Sequence, residues 1–242
     1  MKRLTFIVII ACCFFATNTY ANDKKEGILV KTTFLDKTEV LCHGNVTPRK
    51  VIITARHCIE KPERGDAISH EVYVGAKVVG KPVTVVAEHH FHIKPESVFS
   101  ENGRSSFATD DAPMFGKDVS FLFSQEVFDI FKQNPLWKVE DYGNFDDTKP
   151  VYVQLPAQKG VRFKKCSTEL THNFPLVSLE KNCHIQKGDS GSPVFQKDNG
   201  QFVFIGIISS QVTWSGHKNP HGVFQYVHSD RLLELARDKE QT

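Results

Sequence analysis

Short apolar, β-branched runs recur along the chain, separated by glycine, proline, asparagine and aspartate. Val51–Thr54, Glu71–Val79, Val83–Ala87 and Asp118–Phe123 carry the pattern in the first half. Val151–Leu155, Val161–Lys165, Leu176–Leu179, Pro193–Gln196, Phe202–Ser209 and Gly222–Val227 carry it in the second. Runs this short, punctuated this way, predict an all-β antiparallel protein. The exception is the end, where Ser229-Asp230 precedes Arg231–Arg237 and the leucines fall on one face of a helix, predicting a C-terminal α-helix. Two stretches lack periodicity. Pro95–Phe115 reads as an exposed loop, and Lys132–Lys149, broken by Pro135 and Gly143, reads as a linker between two units.

The first 21 residues follow a different logic. A basic Met1-Lys2-Arg3 start, an apolar run to Phe15 and the small Ala21 predict a secretory leader cleaved after Ala21. Ile9-Ile10-Ala11-Cys12 loosely resembles a lipoprotein site, but the apolar core before Cys12 is short for one. No later run approaches the length of a membrane span. The protein is therefore expected to be exported, to a periplasm or beyond the cell. Cleavage removes two of the 30 basic residues and none of the 28 acidic ones, leaving the charge balanced. Nucleic-acid binding calls for a basic face, and none is evident.

Cys42, Cys58, Cys166 and Cys183 remain after cleavage. An even count in an exported chain argues for two disulfides, with three connectivities open. Histidine adjoins cysteine at Cys42-His43, His57-Cys58 and Cys183-His184, which raises a zinc reading. Adjacent side chains on a strand point to opposite faces, so such pairs do not readily share one ion, and no metal is expected. His90 and His92 would share one face of a strand, where they could act as metal ligands, but a surface strand is the favoured reading, as it is for His89.

Gly188-Asp189-Ser190-Gly191-Ser192-Pro193 is the chain's most telling stretch, because two partners precede it: Thr54-Ala55-Arg56-His57-Cys58 and Asp118-Val119-Ser120-Phe121-Leu122. A serine hydroxyl needs an imidazole to take its proton, and the imidazole needs a carboxylate to fix its tautomer. Asp110 and Asp111 compete for that last role but sit in loop-like sequence, whereas apolar residues follow Asp118 into a strand.

In these three motifs and their order the chain resembles the chymotrypsin/trypsin-like serine peptidases, over nearly everything after the first two dozen residues. The resemblance implies two six-stranded antiparallel β-barrels with a C-terminal α-helix. Residues 22–135 would hold His57 and Asp118, and residues 136–242 would hold Ser190, with the site at the seam. It implies His57 as general base, Asp118 as orienting acid, Ser190 as nucleophile, and the amides of Gly188 and Ser190 as oxyanion hole. It pairs Cys42 with Cys58, leaving Cys166 for Cys183. The substrate strand would be Gly206-Ile207-Ile208-Ser209-Ser210-Gln211, with Ser209, Ser210 and Gln211 lining it; Ser210 and Gln211 depart from the family's aromatic and glycine. His184 stands at the base of the primary pocket, where trypsin-like members carry an acid, and His217 and His221 lie near its last strand. The substrate is expected to be a protein or peptide, and the reaction uses side chains alone, without a cofactor.

Activation leaves two readings open. The family's freed terminus pairs with the residue before the serine, here Asp189, and Gly27-Ile28-Leu29-Val30 matches that terminus poorly. Either Asp189 is held by other residues or cleavage after Lys25 or Glu26 has another purpose. A binding or regulatory protein that keeps the fold without turnover is the main rival. An α/β-hydrolase esterase needs Gly-x-Ser-x-Gly and the order Ser, Asp, His, and the chain has neither.

Overall fold

The computed structural model describes residues 27–47, 50–79, 84–100, 118–133, 143–156, 161–169, 176–180, 183–186, 188–212 and 221–227. The leader and the C-terminal helix expected from sequence lie outside them, as do Asp110, Asp111 and His217.

Fifteen strands form two curled antiparallel sheets. The first contains β1 (Gly27–Phe34), β2 (Glu39–Val46), β3 (Val51–Thr54), β4 (Ala67–Val79), β5 (Thr84–Val86), β6 (His89–Ile93), β7 (Val98–Ser100) and β8 (Ser120–Phe123). Its order is β5-β4-β1-β2-β3-β8-β7, with β6 added against β4. The helix α1 (Gln125–Gln133) follows. The second sheet contains β9 (Val151–Pro156), β10 (Val161–Cys166), β11 (Thr168–Glu169), β12 (Leu176–Leu179), β13 (Pro193–Asp198), β14 (Gln201–Val212) and β15 (His221–Tyr226). Its order is β10-β9-β13-β14-β15-β12-β11.

The unbroken apolar run of β3 has a direct cause: both of its faces are covered. Ile52 and Leu122 turn into the first core with Val30, Val72 and Val74. Val51, Ile53 and Phe121 turn the other way and pack against Phe195, Phe204 and Ile207 of the second sheet. A strand buried on both faces cannot alternate apolar with polar. The second sheet closes on its own cluster, which includes Val153, Leu179, Ile205 and Phe224.

The described residues add to or alter the sequence reading at three places. First, a helix that the sequence did not suggest, α1, follows β8 directly, with the Ser124 hydroxyl accepting from the Val127 amide at 3.3 Å. Val127 is fully buried, and Phe128, Ile130 and Phe131 pack on the first core. Second, the loop read from Pro95 begins as a 3₁₀ turn at Pro95–Ser97 and continues as β7, which pairs with β8. Residues 101–115 of that region lie outside the description. Third, residues 143–149 of the expected linker dock on the second sheet. Gly143 donates to the Phe204 carbonyl, and the Gln196 amide donates to the carbonyls of Asp146 and Lys149.

Candidate active site

The candidate base, His57, follows the end of β3. Thr54 leads through Ala55 into a single 3₁₀ turn, Arg56–Cys58, that carries His57. Cys58 is bonded to Cys42 on β2, so the turn is tied covalently to the neighbouring strand. Cys166 and Cys183 form the second disulfide, linking β10 to the segment that enters the nucleophile turn. All four cysteines are thereby unavailable as thiolate ligands.

Asp118 sits just before β8 and is 6% exposed. Its Oδ1 accepts from the His57 backbone amide at 3.0 Å, and its Oδ2 lies 2.9 Å from His57 Nδ1. Two contacts to one residue fix both the position and the rotation of the imidazole. The far nitrogen, His57 Nε2, lies 3.0 Å from Ser190 Oγ. With Nδ1 donating to the carboxylate, Nε2 is left as the acceptor for the serine proton. His57 is half-buried, so the ring is shielded from bulk water on one side only.

The second sheet supplies the supports of this chain. The register of β14 against β15 slips between Ile208 and Ser210, so Ser209 occupies a bulge. A bulge re-aims a side chain, and here the Ser209 hydroxyl donates to Asp118 Oδ2. The Ser209 carbonyl also accepts from Ser190 Oγ at 3.3 Å. Gln225 on β15, which the sequence reading did not single out, accepts from the Asp118 amide at 3.2 Å. Its signal in the sequence is slight: one uncharged amide inside the otherwise apolar Val223–Val227 run.

The nucleophile turn is held by its own backbone. Asp189 N–H donates to the Gln186 carbonyl, and Asp189 Oδ2 accepts from the Gln186 amide at 2.8 Å. Asp189 is thus held within its own turn, by Gln186. Ile28 is locked within β1 between Gly44 and Val74. Gly191 donates to the Ile208 carbonyl, Ser192 donates to the Asp189 carbonyl, and the Ser190 carbonyl accepts from His43 N–H at 2.8 Å. Among the described residues, no hydrogen bond uses the amides of Gly188 or Ser190. Gly188 and Gly191 have φ of +102° and +81°, a region that favours glycine.

Of the other predicted site residues, His184 is exposed between buried Cys183 and Ile185. Ser210 and Gln211 lie on β14 with backbones paired to Val223 and Gly222, and His221 pairs with Val212. His43, also missed from sequence, is half-buried beside the nucleophile turn, and burial pushes its imidazole down to about 4. Thr54 Oγ1 donates to the His43 carbonyl at 2.7 Å, closing the contact between β2, β3 and the turn.

Two curled antiparallel sheets with these residues at their seam define a chymotrypsin-like fold. Solved structures of that fold match the chain over most of its length. One is the protease Anisep from Arthrobacter nicotinovorans, at 12% identity and a TM-score of 0.57, covering 88% of this chain and 96% of that one. A thermostable serine protease, AL20, from an extremophilic microorganism matches at 10% identity and a TM-score of 0.60, covering 90% and 99%. An inactivated protease paralogue of the scabies mite, S-I1, matches at 13% identity and a TM-score of 0.56, covering 90% and 96%. No family model and no curated protein matches the sequence. Likeness at these identities establishes the fold. Since one neighbour is described as inactivated, activity has to be argued from the site itself.

Proposed function

We propose that the protein is an exported serine endopeptidase that cleaves peptide bonds through an acyl-enzyme. One observation carries the reading: the unbroken chain from Asp118 through His57 to Ser190 Oγ, with contacts of 2.9 and 3.0 Å. Ser190 Oγ attacks the scissile carbonyl as its proton passes to His57 Nε2. The oxyanion settles against the amides of Gly188 and Ser190, which stand outside the turn's own hydrogen bonding. His57 then gives the proton to the leaving amine, and water attacks the acyl group by the same route. Asp118 keeps His57 in the productive tautomer and stabilises the imidazolium without itself taking the proton.

In this reading residues 22–135 contribute the acid and base and residues 136–242 the nucleophile. Substrate backbone pairs as an added strand along Ser209–Gln211, with His184 at the base of the primary pocket. The two disulfides support an oxidising destination outside the cytoplasm. The test is a library of unstructured peptides digested with the oxidised protein and read by mass spectrometry. New termini are expected from the parent and none above background from Ser190→Ala. Equal cleavage by both, or no cleavage by either, overturns the proposal.

A further inference from the structure

A second group of ligating side chains lies on the outer face of the first sheet. The register places Glu71 of β4 opposite His92 of β6, and Tyr73 opposite His90. Side chains alternate along a strand, so these four share one face. Val72 and Val74 between and beyond them point into the core and are fully buried. The Glu71 carboxylate is itself mostly buried. Its Oε1 meets Lys31 Nζ at 3.0 Å, while its Oε2 accepts from the Tyr73 hydroxyl at 2.5 Å and lies 2.7 Å from His90 Nε2. The Tyr73 ring stacks on His90 with centroids 4.4 Å apart and planes within 1°. That stacking sets the edge of the imidazole toward the carboxylate.

Lys31, Glu71, Tyr73 and His90 form a connected network, to which Glu39 adds a second contact with Lys31 Nζ at 3.3 Å. His92 has no part in it: among the described residues no hydrogen bond or ion pair engages His92. Yet its ring centroid lies 4.8 Å from that of His90. The ligating atoms of Glu71, His90 and His92 all lie within 4.8 Å of one another. In a tetrahedral zinc site with bonds of roughly 2.0–2.1 Å, ligand atoms stand about 3.3 Å apart. The Glu71–His90 contact therefore opens by a few tenths of an ångström, and the exposed His92 side chain closes in by rotation. Lys31 holds the other carboxylate oxygen, which leaves Oε2 aimed at the two rings.

We propose that Glu71, His90 and His92 bind one zinc-class divalent transition ion. One carboxylate and two imidazoles suit borderline ions of this class, and poorly suit magnesium or calcium, which take oxygen ligands. Water fills the fourth position, on the solvent side. Because β6 pairs only with β4 among the described strands, an ion bridging the two staples an edge of the sheet.

The test uses the folded, oxidised protein in a His57→Ala background, which removes the triad imidazole as a competing ligand. Zinc chloride is titrated by calorimetry, with thermal unfolding in parallel. One equivalent is expected to bind and to raise Tm, with excess magnesium failing to displace it. His92→Ala is expected to weaken that binding by at least about tenfold, the scale at which even outer-sphere changes act. His92 is exposed and outside the network, so the metal-free Tm of His92→Ala stays at the parent value, which separates lost binding from lost folding. His90→Ala is expected to weaken binding likewise. Zinc binding equal in parent and His92→Ala, or no one-equivalent binding by the parent, overturns the proposal.

Discussion

Alanine at Gly191 tests how closely β2 approaches the nucleophile turn. Its Cβ would lie 1.9 Å from the His43 carbonyl oxygen and 2.7 Å from Thr54 Oγ1. Ordinary van der Waals contact begins at 3.4 Å, so turn and strand have to part by the difference, about 1.5 Å. One hydrogen bond crosses that gap, from His43 N–H to the Ser190 carbonyl at 2.8 Å. Losing it costs about 1 kcal/mol at the usual net value. The positive φ adds about 1–2 kcal/mol for a residue with a Cβ. A loss of about 2–3 kcal/mol is large against the roughly 5–15 kcal/mol that holds most folded proteins.

Gly188→Ala is the matched control. Its φ is also positive, but no described residue lies within 4 Å of the added Cβ. The strain is common to both variants, so their difference, about 1 kcal/mol, isolates the contact with His43. Urea unfolding with the disulfides intact reads it as a midpoint gap of about 0.5 M, given slopes of about 1–3 kcal/mol/M. Midpoints that coincide would refute the close approach of β2 to Ser190.

Three further outcomes are expected. Ser209→Ala removes a donor to the buried Asp118 carboxylate; peptide hydrolysis should fall on the order of tenfold, the low end for a bond to a charged group, and unchanged kcat would contradict the role. Replacing Cys42 and Cys58 together by serine should lower stability by about 3 kcal/mol in the chain-entropy account, as should replacing Cys166 and Cys183, since the two loops span 16 and 17 residues; urea midpoints check both. His43 is held neutral by burial, so the folded state binds its proton less readily than the unfolded state does. The stability this gives is complete above about 6.5 and is lost as pH falls toward about 4. His43→Gln should flatten the pH dependence of the urea midpoint within that window, and an unchanged profile would contradict it.

The strands of the second sheet other than the two-residue β11 were legible as short apolar runs, bounded by turn residues such as Pro193 and Asn199-Gly200. The first two strands were not. Polar residues dilute them, including Thr32, which is fully buried, and His43 and Asn45 on β2. Helix α1 was hidden for a different reason. It is only nine residues long and starts one residue after β8, so the polar Ser124-Gln125-Glu126 reads as a turn and not as a capped helix start. The candidate triad was legible because each member carries its own flanking residues. Its supports were less so: Ser209 stood out within the Gly206–Gln211 strand, whereas Gln225 acts through a contact 107 positions away in the chain. Glu71 and His90 are likewise brought together only by the pairing of β4 with β6.

The central claim, that Ser190 is a nucleophile activated by His57, is tested most directly with a fluorophosphonate probe on the oxidised protein, the adduct being mapped by mass spectrometry. One adduct per chain at Ser190 is expected, absent from both Ser190→Ala and His57→Ala. Folded protein that takes no probe, or takes it equally without His57, would contradict the account.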